Sequence, residues 1–110
     1  MNKLVIRNAD YVHFIHLSDI ILCRKRKRKT LFVLNKEQTV ISETDFDTYE
    51  LMLDNHQFVK PSPGYLVNTA YISEVRTKWP RYITLSTGKR IPLAIHLKAK
   101  IEKILQRWQP

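Results

Sequence analysis

The sequence has 110 residues, of which 44% are hydrophobic and 10% aromatic, and its formal net charge is +9. This apolar content excludes a disordered chain and predicts a single domain over residues 1–110, while the strong positive charge predicts a polyanionic partner, nucleic acid before an anionic membrane surface. The single cysteine excludes an internal disulfide, and no apolar run resembles a membrane span or a signal peptide, so we expect a cytoplasmic protein.

Short apolar bursts separated by polar turns in the first half of the chain are typical of β-strands. They predict strands at residues 4–7, 11–17, 18–23, 30–34 and 38–42. The run RKRKRK, residues 24–29, lies between two of these strands. We therefore predict that it is a hairpin connection, which would present its cations at a defined place on the surface.

A short central helix is predicted after these strands. Thr44 is the expected N-cap, and Asp47 lies in the first turn, where a helix favours negative charge. Four apolar residues at helical spacing predict its buried face, namely Phe46, Tyr49, Met52 and Leu53.

The second half is predicted to return to strands after a proline-rich loop at residues 61–64. A strand at residues 65–67 is followed by a three-stranded meander over residues 72–94, with turns at Pro80 and at Thr87-Gly88. An apolar stripe then predicts a C-terminal amphipathic helix through Leu97, Ile101, Ile104, Leu105 and Trp108.

Residues with catalytic or metal-binding chemistry are few. His13 and His16 would point to opposite faces of a strand, which makes a shared metal ion improbable. Cys23 adjoins cations that would activate a thiol, but no base is apparent near it. The acidic group at residues 43–47 fits a helix N-terminus. We therefore expect no enzyme activity, no metal and no cofactor.

Two motifs follow one another in the second half of the chain. The first is FVKPSPGYLVNTAYISEV, with Lys60 before a short loop and with Val67-Asn68 before an isoleucine. The second is YITLSTGKRIPLA, which contains Thr87-Gly88 and Ile91-Pro92. This order resembles the LytTR family of bacterial DNA-binding domains. The similarity extends to the first half, through Asp19-Ile20, a variable polar loop, strands and a capped helix, and so covers nearly the whole chain.

The resemblance implies a mainly β fold of antiparallel strands in stacked sheets with few helices, which agrees with the one short central helix and the C-terminal amphipathic helix predicted above. Loops rather than a recognition helix enter the DNA grooves in this family, whose members are mostly transcription regulators. The expected partner is double-stranded DNA, with a second copy on repeated half-sites as a further candidate. The family's three contact segments map onto residues 24–30, 60–64 and 94–96. The expected DNA-binding residues are Arg24, Lys25, Arg26, Lys27, Arg28, Lys29, Thr30, Lys60, Ser62 and His96.

The chain departs from the family's pattern at two of these segments. Ser62–Gly64 stands where many relatives carry H-R-S or H-K-S, and Ala94–His96 replaces a segment that usually contains serine and arginine. His96 follows Ile95 at a position where relatives tend to place an arginine. We expect strong phosphate binding with modest or altered reading of the bases.

Two other uses of the basic run stay open at the level of the sequence. An anionic membrane surface would need only positive charge. RNA binding by a sheet would need exposed aromatic residues on neighbouring strands, for which Trp79 and Tyr82 are the candidates, although we expect both to be partly packed. A charge run can also be plain solvated surface.

Overall fold

The computed structural model describes residues 2–54 and 57–94, together with Gln106. The predicted C-terminal helix lies outside these residues. Two 3-10 helices, Leu17–Asp19 and Thr69–Tyr71, precede β3 and β8. The strands and the α-helix are β1 Lys3–Arg7, β2 Val12–His16, β3 Ile20–Arg26, β4 Lys29–Leu34, β5 Thr39–Ser42, α1 Phe46–Met52, β6 Phe58–Val59, β7 Tyr65–Asn68, β8 Ile72–Arg76, β9 Tyr82–Leu85 and β10 Arg90–Pro92.

The strands form three antiparallel sheets. The largest has the order β5-β4-β3-β7-β6, and β1 and β2 form a separate two-stranded sheet. The third is the predicted meander, with β9 between β8 and β10. The prediction of a mainly β, antiparallel fold with one short central helix is therefore confirmed for the described part of the chain.

The five-stranded sheet separates two hydrophobic cores. On one side, β1, β2 and α1 cover the sheet and form a core with its residues Ile20, Cys23, Phe32, Leu34 and Leu66. On the other side, β9, β10 and Leu93 form a second core with the sheet residues Ile21, Leu22, Val59 and Val67. Because β3 contributes to both cores, its side chains need apolar surroundings on both faces, and its first four residues are all buried.

Asn68, the asparagine of the first motif, is a buried polar residue at the end of β7. Its side-chain amide donates to the carbonyl of Ile20 at 2.9 Å and to that of Leu17 at 3.4 Å. Its Oδ1 accepts from the Ala70 amide at 3.0 Å. These bonds join the end of β7 to the start of β3. They also satisfy an amide whose burial without partners would destabilise the fold.

The helix differs from the sequence prediction in two details. It begins at Phe46, so Asp45 rather than Thr44 is the N-cap, and its Oδ1 accepts from the Thr48 amide at 3.2 Å. The Thr44 amide instead donates to Ser42 Oγ at the end of β5. Met52 is 42% exposed, so its predicted burial is wrong. The residues of this segment that are buried are Phe46, Tyr49 and Leu53.

Replacement of Val67 by alanine should lower the free energy of unfolding by about 1–3 kcal/mol, because it removes two methyl groups from a tightly packed core. Val67 is fully buried and pairs with Leu22 and Val59. Val12→Ala is the matched control, since Val12 is 45% exposed and should cost less than about 0.5 kcal/mol. Urea denaturation measures both variants, and equal costs would contradict the description of the second core.

Candidate nucleic-acid interface

Most of the basic run belongs to strands rather than to the connection between them. β3 continues to Arg26 and β4 begins at Lys29, so only Lys27 and Arg28 form the turn. Lys27 has a φ of 57°, in the left-handed region that residues other than glycine adopt infrequently. The prediction of a hairpin is confirmed, but its loop is shorter than expected because the ladder pairs Arg26 with Lys29.

Alternation along β3 divides the cations between the two faces of the central sheet. Arg24 lies opposite Leu31 on β4 and Tyr65 on β7, on the face of the second core, and Arg26 follows it on that face. Lys25 lies on the other face, where it lines a cavity of about 400 Å³ with α1 residues and Lys60. Lys27 and Arg28, in the turn, are exposed. Cations thus surround the end of the hairpin.

The loop from Lys60 to Gly64 lies against the basic end of β3. The Lys25 amide donates to the Gly64 carbonyl at 2.8 Å. Gly64 has a φ of 78°, and a Cβ placed on it would lie 3.4 Å from Lys25 Cβ. Glycine therefore suits both the backbone conformation and the close approach of the loop to β3.

The third expected contact segment begins beside the same loop. The Ala94 amide donates to the Pro61 carbonyl at 2.8 Å, and the Leu93 amide donates to the Arg81 carbonyl at 3.1 Å. Ile95 and His96 lie outside the described residues. The basic hairpin, the loop at residues 60–64 and the start of the third segment therefore meet at one end of the stacked sheets.

Thr30 does not have the exposure that a DNA contact requires. Its side chain is fully buried, and its Oγ1 donates to the Thr44 carbonyl at 2.9 Å. The expectation that Thr30 contacts DNA is therefore corrected: the residue joins β4 to the segment before α1. Ser62 is partly buried, and its hydroxyl has no hydrogen-bond partner among the described residues.

Three lysines of this end have carboxylates nearby. Lys60 Nζ lies 3.1 Å from Glu50 Oε1, and Lys29 Nζ lies 3.3 Å from Glu43 Oε1. Hydrogen bonds from Thr48 and, to a smaller extent, the charge of Lys25 hold the pKa of Asp45 below its usual value. The other four cations of the basic run have no such carboxylate neighbour among residues 2–54 and 57–94. They are Arg24, Arg26, Lys27 and Arg28.

The aromatic residues considered for RNA binding differ in exposure. Trp79 is 81% exposed, so the expectation that it is partly packed is wrong. Tyr82 is partly buried as expected, and the guanidinium of Arg90 lies 4.6 Å from the centre of its ring. Trp79 lies in the turn between β8 and β9, so these residues do not form a pair of exposed rings on neighbouring strands.

The described part of the chain offers few features for other functions. Residues 2–54 and 57–94 contain no cluster of three or more histidine, cysteine, aspartate or glutamate side chains placed to bind a metal ion. The helices in those ranges lack the length and apolar character that a bilayer span needs.

Comparisons with known proteins identify the family and the fold of the chain. The family model LytTR, described as LytTr DNA-binding domain, matches residues 10–106. The structure is similar to the LytTr DNA-binding domain of a putative methyl-accepting/DNA response regulator from Bacillus cereus, with a TM-score of 0.79. The two are 15% identical, and the match covers 96% of this chain and 97% of the other. The sequence has no significant match among curated proteins.

The Cys23 thiol should be unreactive in the native protein, because burial raises its pKa from 9.0 to about 12 and reagents cannot reach it. Alkylation at pH 8 should proceed only through unfolding and become fast in denaturant. The raised pKa also means that stability is retained below pH 9 and falls as the pH rises from 9 toward 12, since only the unfolded thiol ionises there. Fast labelling of the native protein would contradict this prediction.

Proposed function

Since the chain belongs to the LytTR family of DNA-binding domains, we propose that it binds double-stranded DNA with sequence preference through the turns and loops at the basic end of its sheets. It acts in the bacterial cytoplasm as a transcription regulator or as the DNA-binding part of one. The similar Bacillus cereus domain belongs to a putative response regulator, which supports such a role. Two copies on repeated half-sites are part of the same proposal.

The observation that carries the proposal is the meeting of the three segments through backbone hydrogen bonds. The bonds from Lys25 to Gly64 and from Ala94 to Pro61 hold these segments together independently of any ligand. A contact surface organised in this way loses little conformational entropy when it binds. The segments can therefore contact DNA as one unit.

Beyond Arg24 and Thr30 the hairpin is a two-stranded ribbon, because β7 and β5 pair with its strands only up to those residues, and the major groove is wide enough to admit such a ribbon. Lys27 and Arg28 form its tip and would enter deepest. A guanidinium at the tip can bind the O6 and N7 atoms of guanine with two hydrogen bonds, which supplies sequence preference. Arg24 and Arg26, further back on the strand, would contact phosphates on the groove wall.

The remaining proposed contacts lie around the hairpin. Lys25, Lys29 and Lys60 have nearby carboxylates and would exchange them for phosphates. The hydroxyl oxygen of Ser62 is buried but has no hydrogen-bond partner among the described residues, and a rotation of the side chain would direct it to a DNA phosphate. His96 stays in the proposal from the sequence resemblance. Thr30 is left out because it is buried.

The salt dependence of DNA binding reports how many phosphates the protein contacts. If six to eight phosphates are neutralised, a plot of log affinity against log salt should have a slope of about −5 to −7. Replacement of Arg24, Arg26 and Arg28 together by alanine should reduce its magnitude by about 2, because the phosphate contacts of Arg24 and Arg26 each contribute about 0.9. Fluorescence anisotropy of a labelled duplex measures the slopes.

A triple variant with the same change of net charge is the control for this measurement. Three exposed lysines lie at the opposite end of the sheets from the basic hairpin: Lys3 begins β1, Lys36 lies in the turn between β4 and β5, and Lys89 lies in the turn between β9 and β10. Their replacement by alanine should change the slope by less than about 1, since they contact no phosphate in the proposed complex. An equal reduction of the salt slope in both triple variants would contradict the proposed site. Binding to anionic vesicles as tight as binding to the duplex would favour the lipid alternative.

The ion pair between Lys60 and Glu50 can be tested by changing each partner in turn. Lys60→Ala should weaken DNA binding and change the free energy of unfolding by less than about 0.5 kcal/mol, because the pair is partly exposed to solvent. Glu50→Gln should strengthen DNA binding by about two- to fivefold, since it frees Lys60 and removes a negative charge near the DNA. Unfolding of the Lys60→Ala protein or weaker binding by Glu50→Gln would show that the pair is structural.

A further inference from the structure

The turn between β8 and β9 combines three cations with an exposed aromatic ring. Residues Arg76–Arg81, hereafter the Trp79 turn, have the sequence RTKWPR and contain no carboxylate. Trp79 is 81% exposed, and Arg76 and Lys78 are exposed beside it. None of the three segments expected from the family resemblance includes this turn. It needs an explanation of its own.

The Trp79 turn lies at the same end of the molecule as the basic hairpin. The Arg81 carbonyl accepts from Leu93, whose neighbour Ala94 donates to Pro61 in the loop at residues 60–64. That loop is bonded in turn to Lys25 of the hairpin. The turn belongs to the sheet of β8, β9 and β10, which packs on the central sheet across the second core, and packed sheets are about 10 Å apart.

The surroundings of Trp79 identify the chemistry of its partner. The other exposed large apolar side chains of the described residues lie in the sheet of β1 and β2, in Tyr11 next to it, and in α1. Within its own turn, Trp79 is therefore a single apolar side chain surrounded by cations. A protein interface usually excludes charged residues from its centre and favours a contiguous apolar patch. A nucleic acid backbone offers phosphates to the cations and deoxyribose to the ring. The indole N–H can also donate to a phosphate oxygen.

We propose that the Trp79 turn is an additional contact with duplex DNA, an inference that rests on the proposed function. Arg76 and Lys78 bind phosphates outside the groove entered by the hairpin, and the Trp79 ring packs against the sugar between them. A displacement of about 10 Å corresponds to about three base pairs of rise along the duplex. The turn thereby lengthens the bound DNA segment beyond the reach of the hairpin and the loop.

Two single substitutions, each with a matched control, test the inference by duplex titration. Trp79→Ala should weaken binding by about fivefold or more, because it removes the packing of the ring against the sugar, whereas Phe14→Ala should change it less than about twofold. Phe14 is the control because it is 68% exposed on β2, in another sheet. Lys78→Gln should reduce the magnitude of the salt slope by about 0.9. Lys89→Gln, in the turn at the opposite end of the same sheet, should not.

The outcomes separate this inference from the proposed function. If the Trp79→Ala and Lys78→Gln proteins bind like the unmodified protein while the triple arginine variant shows its reduced salt slope, the inference is overturned and the proposed function stands. Failure of the unmodified protein to bind any duplex overturns both. Because Trp79 and Lys78 are exposed, the unfolding temperatures of both variants should differ from that of the unmodified protein by no more than those of the Phe14→Ala and Lys89→Gln controls do.

Discussion

The position of β3 between β4 and β7 is the constraint on which the rest of the structure depends. Hydrogen bonding on both edges holds this strand in register up to Arg24, and the bond from Lys25 to Gly64 continues the restraint by one residue. Its buried half supplies both hydrophobic cores, while its last residues carry the positive charge. The strand that organises the fold is therefore also the strand that presents the cations. A mobile tail of the same composition would leave their positions undefined.

This arrangement has an energetic cost in the free protein. Arg26 and Lys29 lie directly opposite each other, and like charges at such positions destabilise a sheet by about 0.2–1 kcal/mol. Glu43 and Glu50 offset part of the positive charge by pairing with Lys29 and Lys60. The arginines have no ion pair among the described residues, so their mutual repulsion persists until a polyanion binds. Binding of DNA would relieve this repulsion, which favours the complex.

Residue patterns predicted the strands and the order of the elements because apolar alternation reports burial on a sheet. They did not predict the end of β3, since charged side chains in an exposed half-strand carry no apolar signal, nor the two-residue strand β6. The family resemblance places Thr30 in the interface as the last residue of the first contact segment, yet the residue is buried and its hydroxyl bonds to the distant Thr44 carbonyl. The exposure of Trp79 likewise depends on how the sheets pack, which the local sequence does not specify.

Selection of bound fragments from a pool of random duplex DNA tests the central claim most directly, if the unmodified protein is compared with the variant in which Arg24, Arg26 and Arg28 are alanine. If the basic hairpin reads the DNA sequence, the unmodified protein should enrich a short common motif and the variant should enrich none. Enrichment of the same motif by the variant would show that sequence is read elsewhere on the protein. Uniform recovery by both proteins would contradict sequence preference altogether.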